Sequence, residues 1–252
     1  MDLYGQLAAL GCFTRKDVVH LAGSERAAAT RIKDYLHSGC IQRVRRDLYA
    51  AVDAGGAIPN RFQIASRITD DACVSHHGAF EYYGCANQVF HYVYFATKQR
   101  IRPFWYEGLR YYPLASRGNV GVIETDDGVR VTSPERTVID GIADFGWAGG
   151  LEELLHCILD APPLDADKLL EALEMYDRGL LYQRSGYILE TLREDLNLPE
   201  AFFEACERRC SAHRAYLFQR EDNFVLHRRW NLYAPANLIN VLIEGIDPDA
   251  IG

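Results

Sequence analysis

Long apolar runs are missing from this 252-residue sequence. No stretch of 18 or more apolar residues occurs, so no membrane-spanning helix is expected. A basic, apolar leader is also missing: Asp2 opens straight into a helix pattern, and the expected location is therefore the cytoplasm. Cysteine is too irregular for a disulfide framework. Seven residues, an odd number without regular spacing, fit free buried thiols in a reducing compartment. No phosphate-cradling Gly-rich loop and no Gly-x-Ser-x-Gly elbow is present, which removes the P-loop and hydrolase-elbow chemistries. Repeats and low-complexity tracts are lacking as well. Positive charge is in deficit, with 27 Lys and Arg against 35 Asp and Glu, a net −8. That deficit lies outside the first 53 residues, which are slightly positive. An acidic body repels polyanions, so a polyanion-facing surface is expected only in the leading segment.

What is present is an ordinary globular composition, 48% hydrophobic and 25% charged, on a chain long enough for more than one domain. Leu3, Leu7 and Leu10 share one helical face. Thr14 and Asp17 have capping-box spacing at the start of a second helix, whose apolar side is Val18, Val19, Leu21 and Ala22. Gly23 breaks that helix and Ser24 caps a third, predicted over Ser24 to Ser38 and ended by Gly39. Two helices around a short Gly turn, followed by a ribbon, form the pattern of a winged helix-turn-helix, a module that reads duplex DNA. Ala28, Ile32, Tyr35 and Leu36 are the expected core stripe of the third helix. Glu25, Arg26, Ala29, Thr30 and Lys33 fall on the opposite side. Arg26, Ala29 and Thr30 are placed to meet base edges: an Arg suits guanine, and a Thr or Ala methyl suits the thymine methyl. Two strands, Ile41 to Val44 and Leu48 to Ala51, are predicted to form the ribbon, with Arg43, Arg45 and Arg46 on phosphates or in the minor groove. The expected DNA-facing set is thus Ser24, Arg26, Ala29, Thr30, Arg31, Lys33, Arg43, Arg45 and Arg46. From Ser24 to Arg46 six basic residues stand against two acidic ones. Winged helices also dock proteins, and a charged helix face is often only solvated, so a protein-docking module is the alternative reading. One such module buries only about 600–1,000 Å² on DNA, so two copies on repeated half-sites are expected.

Asp53 to Pro59 carries linker composition. The expected organisation is α+β: an N-terminal winged helix-turn-helix over 1–53, a linker over 54–58, and a mixed α/β domain over 59–252. That domain becomes helix-rich toward its C-terminal end, with a subdivision near 150. Within it, Asn60 to Thr69 is predicted helical, and Ser75 is predicted to cap a helix reaching Tyr83. Strands are predicted over Phe90 to Ala96, Leu109 to Leu114 and Val120 to Glu124. An Asp127-Gly128 step marks a hairpin. Ser133 and Pro134 start a helix to about Phe145, helical periodicity dominates from Leu151, and Asn223 to Tyr233 reads as one strand.

Catalytic readings fit poorly, and no catalytic residue, metal ligand or cofactor is assigned. Ser133, Glu135, Arg136 and Asp140 resemble a reactive cluster. Arg136 and Asp140, four apart on a helix, are better read as an internal ion pair beside a helix cap. Glu124, Asp126 and Asp127 suggest a metal-dependent nuclease, the least favoured alternative, but no acidic-x-Lys strand accompanies them. Cys206, Cys210 and His213 lack a fourth ligand for structural zinc. His76 and His77 are adjacent, so one helix face cannot offer both.

Several stretches resemble the AbiEi-type antitoxins, regulatory halves of toxin–antitoxin pairs linked to abortive phage infection. The similarity is carried by Arg45-Arg-Asp-Leu-Tyr49 at the ribbon and Ala72-Cys-Val-Ser-His-His-Gly-Ala-Phe-Glu-Tyr-Tyr-Gly84 in the middle. Val129-Arg-Val-Thr-Ser-Pro-Glu-Arg-Thr-Val-Ile-Asp140 and Tyr182-Gln-Arg-Ser-Gly-Tyr-Ile-Leu-Glu190 extend it along most of the chain. Asp47 departs from the Gly usual in the ribbon turn, where positive φ is favoured. What the resemblance implies is a DNA-binding antitoxin that represses its own operon. It would neutralise a nucleotidyltransferase-like toxin through the C-terminal domain, with or without direct contact.

Overall fold

The computed structural model describes residues 2–219 and 223–240, and its architecture is mixed α and β. The chain divides into two compact units. One holds the chain through Val74, then His91–Ser116 and Glu124–Val131; the other holds Ser75–Phe90, Arg117–Ile123 and the described residues from Thr132 onward. Both are discontinuous in sequence, unlike the linear partition the composition suggests.

The first unit opens with α1 (Leu3–Leu10), β1 (Cys12–Thr14), α2 (Arg15–Ala22), α3 (Glu25–His37), β2 (Ile41–Arg45) and β3 (Leu48–Ala51). Side chains set these boundaries. Asp2 accepts the Gly5 N–H, Thr14 and Asp17 close a capping box, and Ser24 accepts the Ala27 N–H. Gly23, at φ 78°, takes the left-handed geometry that lets α2 stop and α3 start at once. The strands form an antiparallel sheet in the order β1-β3-β2. β1 has too few residues to display alternation, which is why periodicity missed it. A register shift between Arg43 and Arg45 breaks the alternation of β2, and Asp47 turns the chain at φ 61°. Leu7, Phe13, Val18, Ala28, Ile32, Ile41, Tyr49 and Ala51 form the small core. Tyr35 packs against it only in part, and Leu36, expected on the same stripe, is 38% exposed.

The segment 54–58 is a closed turn rather than a loose tether. One Asp53 carboxylate oxygen accepts the Gly55 and Ala57 N–H groups at 2.8 Å each. After α4 (Arg61–Ser66), which stops three residues short of the predicted end, the chain enters a six-stranded sheet. Its strands are β4 (Cys73–Val74), β5 (Tyr92–Thr97), β6 (Phe104–Tyr106), β7 (Leu109–Ala115), β8 (Val122–Glu124) and β9 (Arg130–Thr132). Their order is β6-β7-β5-β4-β9-β8, with β5–β7 and β4–β9 parallel and β4–β5 and β6–β7 antiparallel.

The second unit is mainly helical: α5 (His77–Tyr83), α6 (Pro134–Ala143), a 3-10 turn (Phe145–Ala148), α7 (Leu151–Leu159), α8 (Ala166–Tyr176), α9 (Gly179–Thr191), α10 (Arg193–Leu196) and α11 (Glu200–Arg209). The predicted cap of α5 shifts by one: His76 holds that position at φ 51°, and the Ser75 hydroxyl lies 3.1 Å from the His76 ring. Leu154, Leu155, Ile158, Leu173, Ile188 and Phe203 are fully buried among these helices. Asn223 to Tyr233 is two strands, not one. β11 (Val225–His227) and β12 (Leu232–Ala234) pair antiparallel, Asn231 turning at φ 49°, and β10 (Ala215–Tyr216) joins β12 in parallel. This small sheet leans on α9. A Cβ on Gly186 would lie 2.1 Å from the Trp230 ring, the Trp230 Nε1–H donates to Glu190 at 2.6 Å, and the Gln183 amide donates to two backbone carbonyls. The Gly and Glu of the Tyr182–Glu190 block thus have a packing reason.

Candidate nucleic-acid interface

The geometry of α3 follows from its burial. Ala28 and Ile32 are anchored in the core, so Arg26, Ala29, Thr30 and Lys33, at helical spacings of three and four, stand exposed on the far side with Arg31 beside them. Ser24 is exposed, and its hydroxyl is occupied in capping. Thr30 donates its hydroxyl to the Arg26 carbonyl at 3.1 Å, which leaves the methyl outward. Glu25, the one acidic residue at the start of α3, is held by Arg15 at 2.9 Å.

The ribbon arginines divide. Arg43 is exposed, its Nε–H resting on the Arg45 carbonyl at 3.3 Å. Arg46 is also exposed, with 88% of its side chain accessible and Asp47 at 3.5 Å. Arg45 departs from the expectation of a free phosphate contact. Its guanidinium stacks 5.2 Å above the Phe104 ring in β6, burial lowers its pKa, and its Nη1 is buried without a hydrogen-bond partner. The bulge after Arg43 turns it inward. Tyr106, also on β6, donates its hydroxyl to the Gln42 side chain at 2.9 Å. The ribbon is therefore braced by the larger sheet of its own unit. A cleft of about 320 Å³ lies beneath it, lined by Arg15, Lys16, Arg45, Arg46, Gln99 and Ile101 among others.

Neither Lys16 nor the segment 98–103 was singled out from the sequence, although Lys98-Gln-Arg-Ile-Arg102 puts three cations on alternate residues. That alternation is the signal that could have found them.

Ser133, Glu135, Arg136 and Asp140 lie together in the second unit. The Ser133 hydroxyl accepts the Arg136 N–H, and Glu135 accepts the Asp165 N–H at 3.3 Å. Arg136 and Asp140 form a 2.7 Å ion pair with both side chains 3% exposed or less. Arg136 also donates to the Val120 carbonyl at 2.7 Å, and Tyr176 donates to Asp140 at 2.6 Å. A second buried cluster joins His77, Glu153 and Cys157, whose potential ligand atoms lie within 4.8 Å of one another. One Glu153 oxygen meets the His77 ring at 3.0 Å and accepts the Asn87 and Gln88 N–H groups at 2.9 Å each. Burial pushes the Cys157 thiol well up, away from the thiolate a metal takes. Three groups are one short of a structural zinc set, and the carboxylate serves here to pin the 87–88 backbone to α7.

The fold belongs to the mixed α and β class, with the three-stranded ribbon sheet and strands β4 to β7 of the six-stranded sheet in one unit. No protein-family model matches the sequence, and no curated protein matches it. Among solved structures, the fold is similar to the crystal structure of the RV2827C protein from Mycobacterium tuberculosis. That match has a TM-score of 0.59 at 12% identity and covers 92% of this chain and 89% of that one.

Proposed function

We propose that this protein is a duplex-DNA-binding regulator of the AbiEi antitoxin type. In this reading α2 and α3 are the two helices of a winged helix-turn-helix, and β2 and β3 are its wing. The observation that carries it is the exposure of the cations Arg26, Arg31 and Lys33 on α3 and of Arg43 and Arg46 on the wing. The N-terminal residues of such a helix meet base edges in the major groove, and wing cations meet phosphates. The protein represses its own operon from repeated half-sites and neutralises an adjacent nucleotidyltransferase-like toxin through the rest of the chain. A protein-docking role is the second reading, favoured by the exposed Leu36 near the end of α3.

Titration of the full chain with duplex from upstream of its own gene, over a salt series, tests the proposal. Repression predicts a log–log affinity slope of about −0.9 per phosphate neutralised. Arg26→Ala should cost about 1–3 kcal/mol of discrimination against a changed base pair, whereas Arg46→Ala should weaken all sequences alike. Salt-insensitive or undetectable binding would remove the DNA reading and leave protein docking. Co-expression of the full chain with the neighbouring gene tests the antitoxin half, with rescued growth as the expected result.

A further inference from the structure

The DNA-facing surface extends past the wing, we infer, onto the segment 98–103 that connects β5 to β6, which takes the phosphate backbone of duplex flanking the site under α3. This rests on the reading of α3 as a DNA-contacting helix. Four observations carry it. Lys98, Arg100 and Arg102 are exposed, and no acidic side chain pairs with them among the described residues. Gln99 and Ile101 line the cleft under the wing, alongside Arg45, Arg46 and Lys16 and the carboxylates Glu25, Asp47 and Asp70, so the segment's side chains of even number are the ones left outside it. Ile101, between Arg100 and Arg102, is half-buried, whereas the three cations are open to solvent.

Third, the segment is fixed to the wing at its far end: Arg45 lies on Phe104, and Tyr106 bonds Gln42. Fourth, it is fixed at its near end. Asp71 accepts the Lys98 N–H at 2.6 Å and the Thr97 and Thr69 hydroxyls at 2.8 and 2.9 Å. A braced cationic strip loses less freedom on meeting a polyanion than a loose loop would. Bare cations without an acidic counterpart match phosphate oxygens. The strip therefore adds affinity and salt dependence without sequence preference.

The test compares the full chain with the triple variant Lys98→Ala, Arg100→Ala, Arg102→Ala on long and half-site-length duplexes across a salt series. On the long duplex the triple variant should have a slope shallower by about 2.7, three phosphates at roughly 0.9 each. Its preference for the upstream sequence over a scrambled one should be unchanged. On the short duplex the two proteins should converge. The exchange Lys98→Arg, Arg100→Lys, Arg102→Lys keeps the charge and should keep the slope, which separates charge from any effect on folding. A wild-type slope retained by the alanine variant overturns the strip and leaves α3 on DNA. Absence of binding by the wild type overturns both. Equal binding to single-stranded RNA of the same length overturns the commitment to duplex.

Discussion

Arg136 illustrates how a residue that looks reactive in sequence can be spent on structure. Its Nε–H reaches Asp140, its Nη1 reaches the Val120 carbonyl, and Asp140 is also bonded by Tyr176. The ion pair lies within α6, and the contacts to Val120 and Tyr176 tie that helix to neighbours in its unit. A buried ion pair adds little over an apolar replacement, but breaking one half strands the other charge. Arg136→Ala should therefore lower stability by about 3–5 kcal/mol in urea unfolding. DNA affinity per folded molecule should stay unchanged; a stable variant that lost function would contradict the structural role. Gly186 makes the same point by absence, since its missing side chain is the space the Trp230 ring occupies.

Elements were legible in proportion to the chemistry at their ends. Caps at Thr14, Ser24 and Ser133 are short-range hydrogen bonds, so α2, α3 and α6 could be placed from residue types, and α1 from its leucine spacing. β1, β6 and β10 have two or three residues each, too few for a period of two to show, and the partners of β1 and β10 are distant in sequence. The candidate interface was half legible for the same reason. The α3 face follows from helical spacing. The inward turn of Arg45 follows from a bulge and from Phe104, which no local pattern announces. The anchor of segment 98–103 is open to a pH test. Burial raises the Asp71 carboxyl, but the Lys98 N–H and the Thr97 and Thr69 hydroxyls outweigh it and hold the pKa below its ordinary value. A depressed folded pKa means the anchoring is complete above the ordinary carboxylate range and is lost as pH falls through the lowered value. The Lys98 amide resonance should titrate with a midpoint below that of a free aspartate. Asp71→Asn should abolish that titration and weaken DNA binding at neutral pH.

The chain passes between its two units five times, and no single cut separates them. Cutting near residue 54 severs the covalent path between the β2–β3 ribbon and β6 but not Arg45 on Phe104 or Gln42 on Tyr106. A protease site inserted between Gly55 and Gly56 should therefore yield two pieces that co-elute in size-exclusion chromatography; separate elution would show that those contacts are negligible. The same discontinuity bears on synthesis. The first unit draws its last segment from Glu124–Val131, so it cannot close until half the polypeptide has left the ribosome. At about 5–20 residues per second that is a wait on the order of ten seconds. On the proposed reading as a repressor of its own operon, its response to transcription of its gene carries a delay written into that topology.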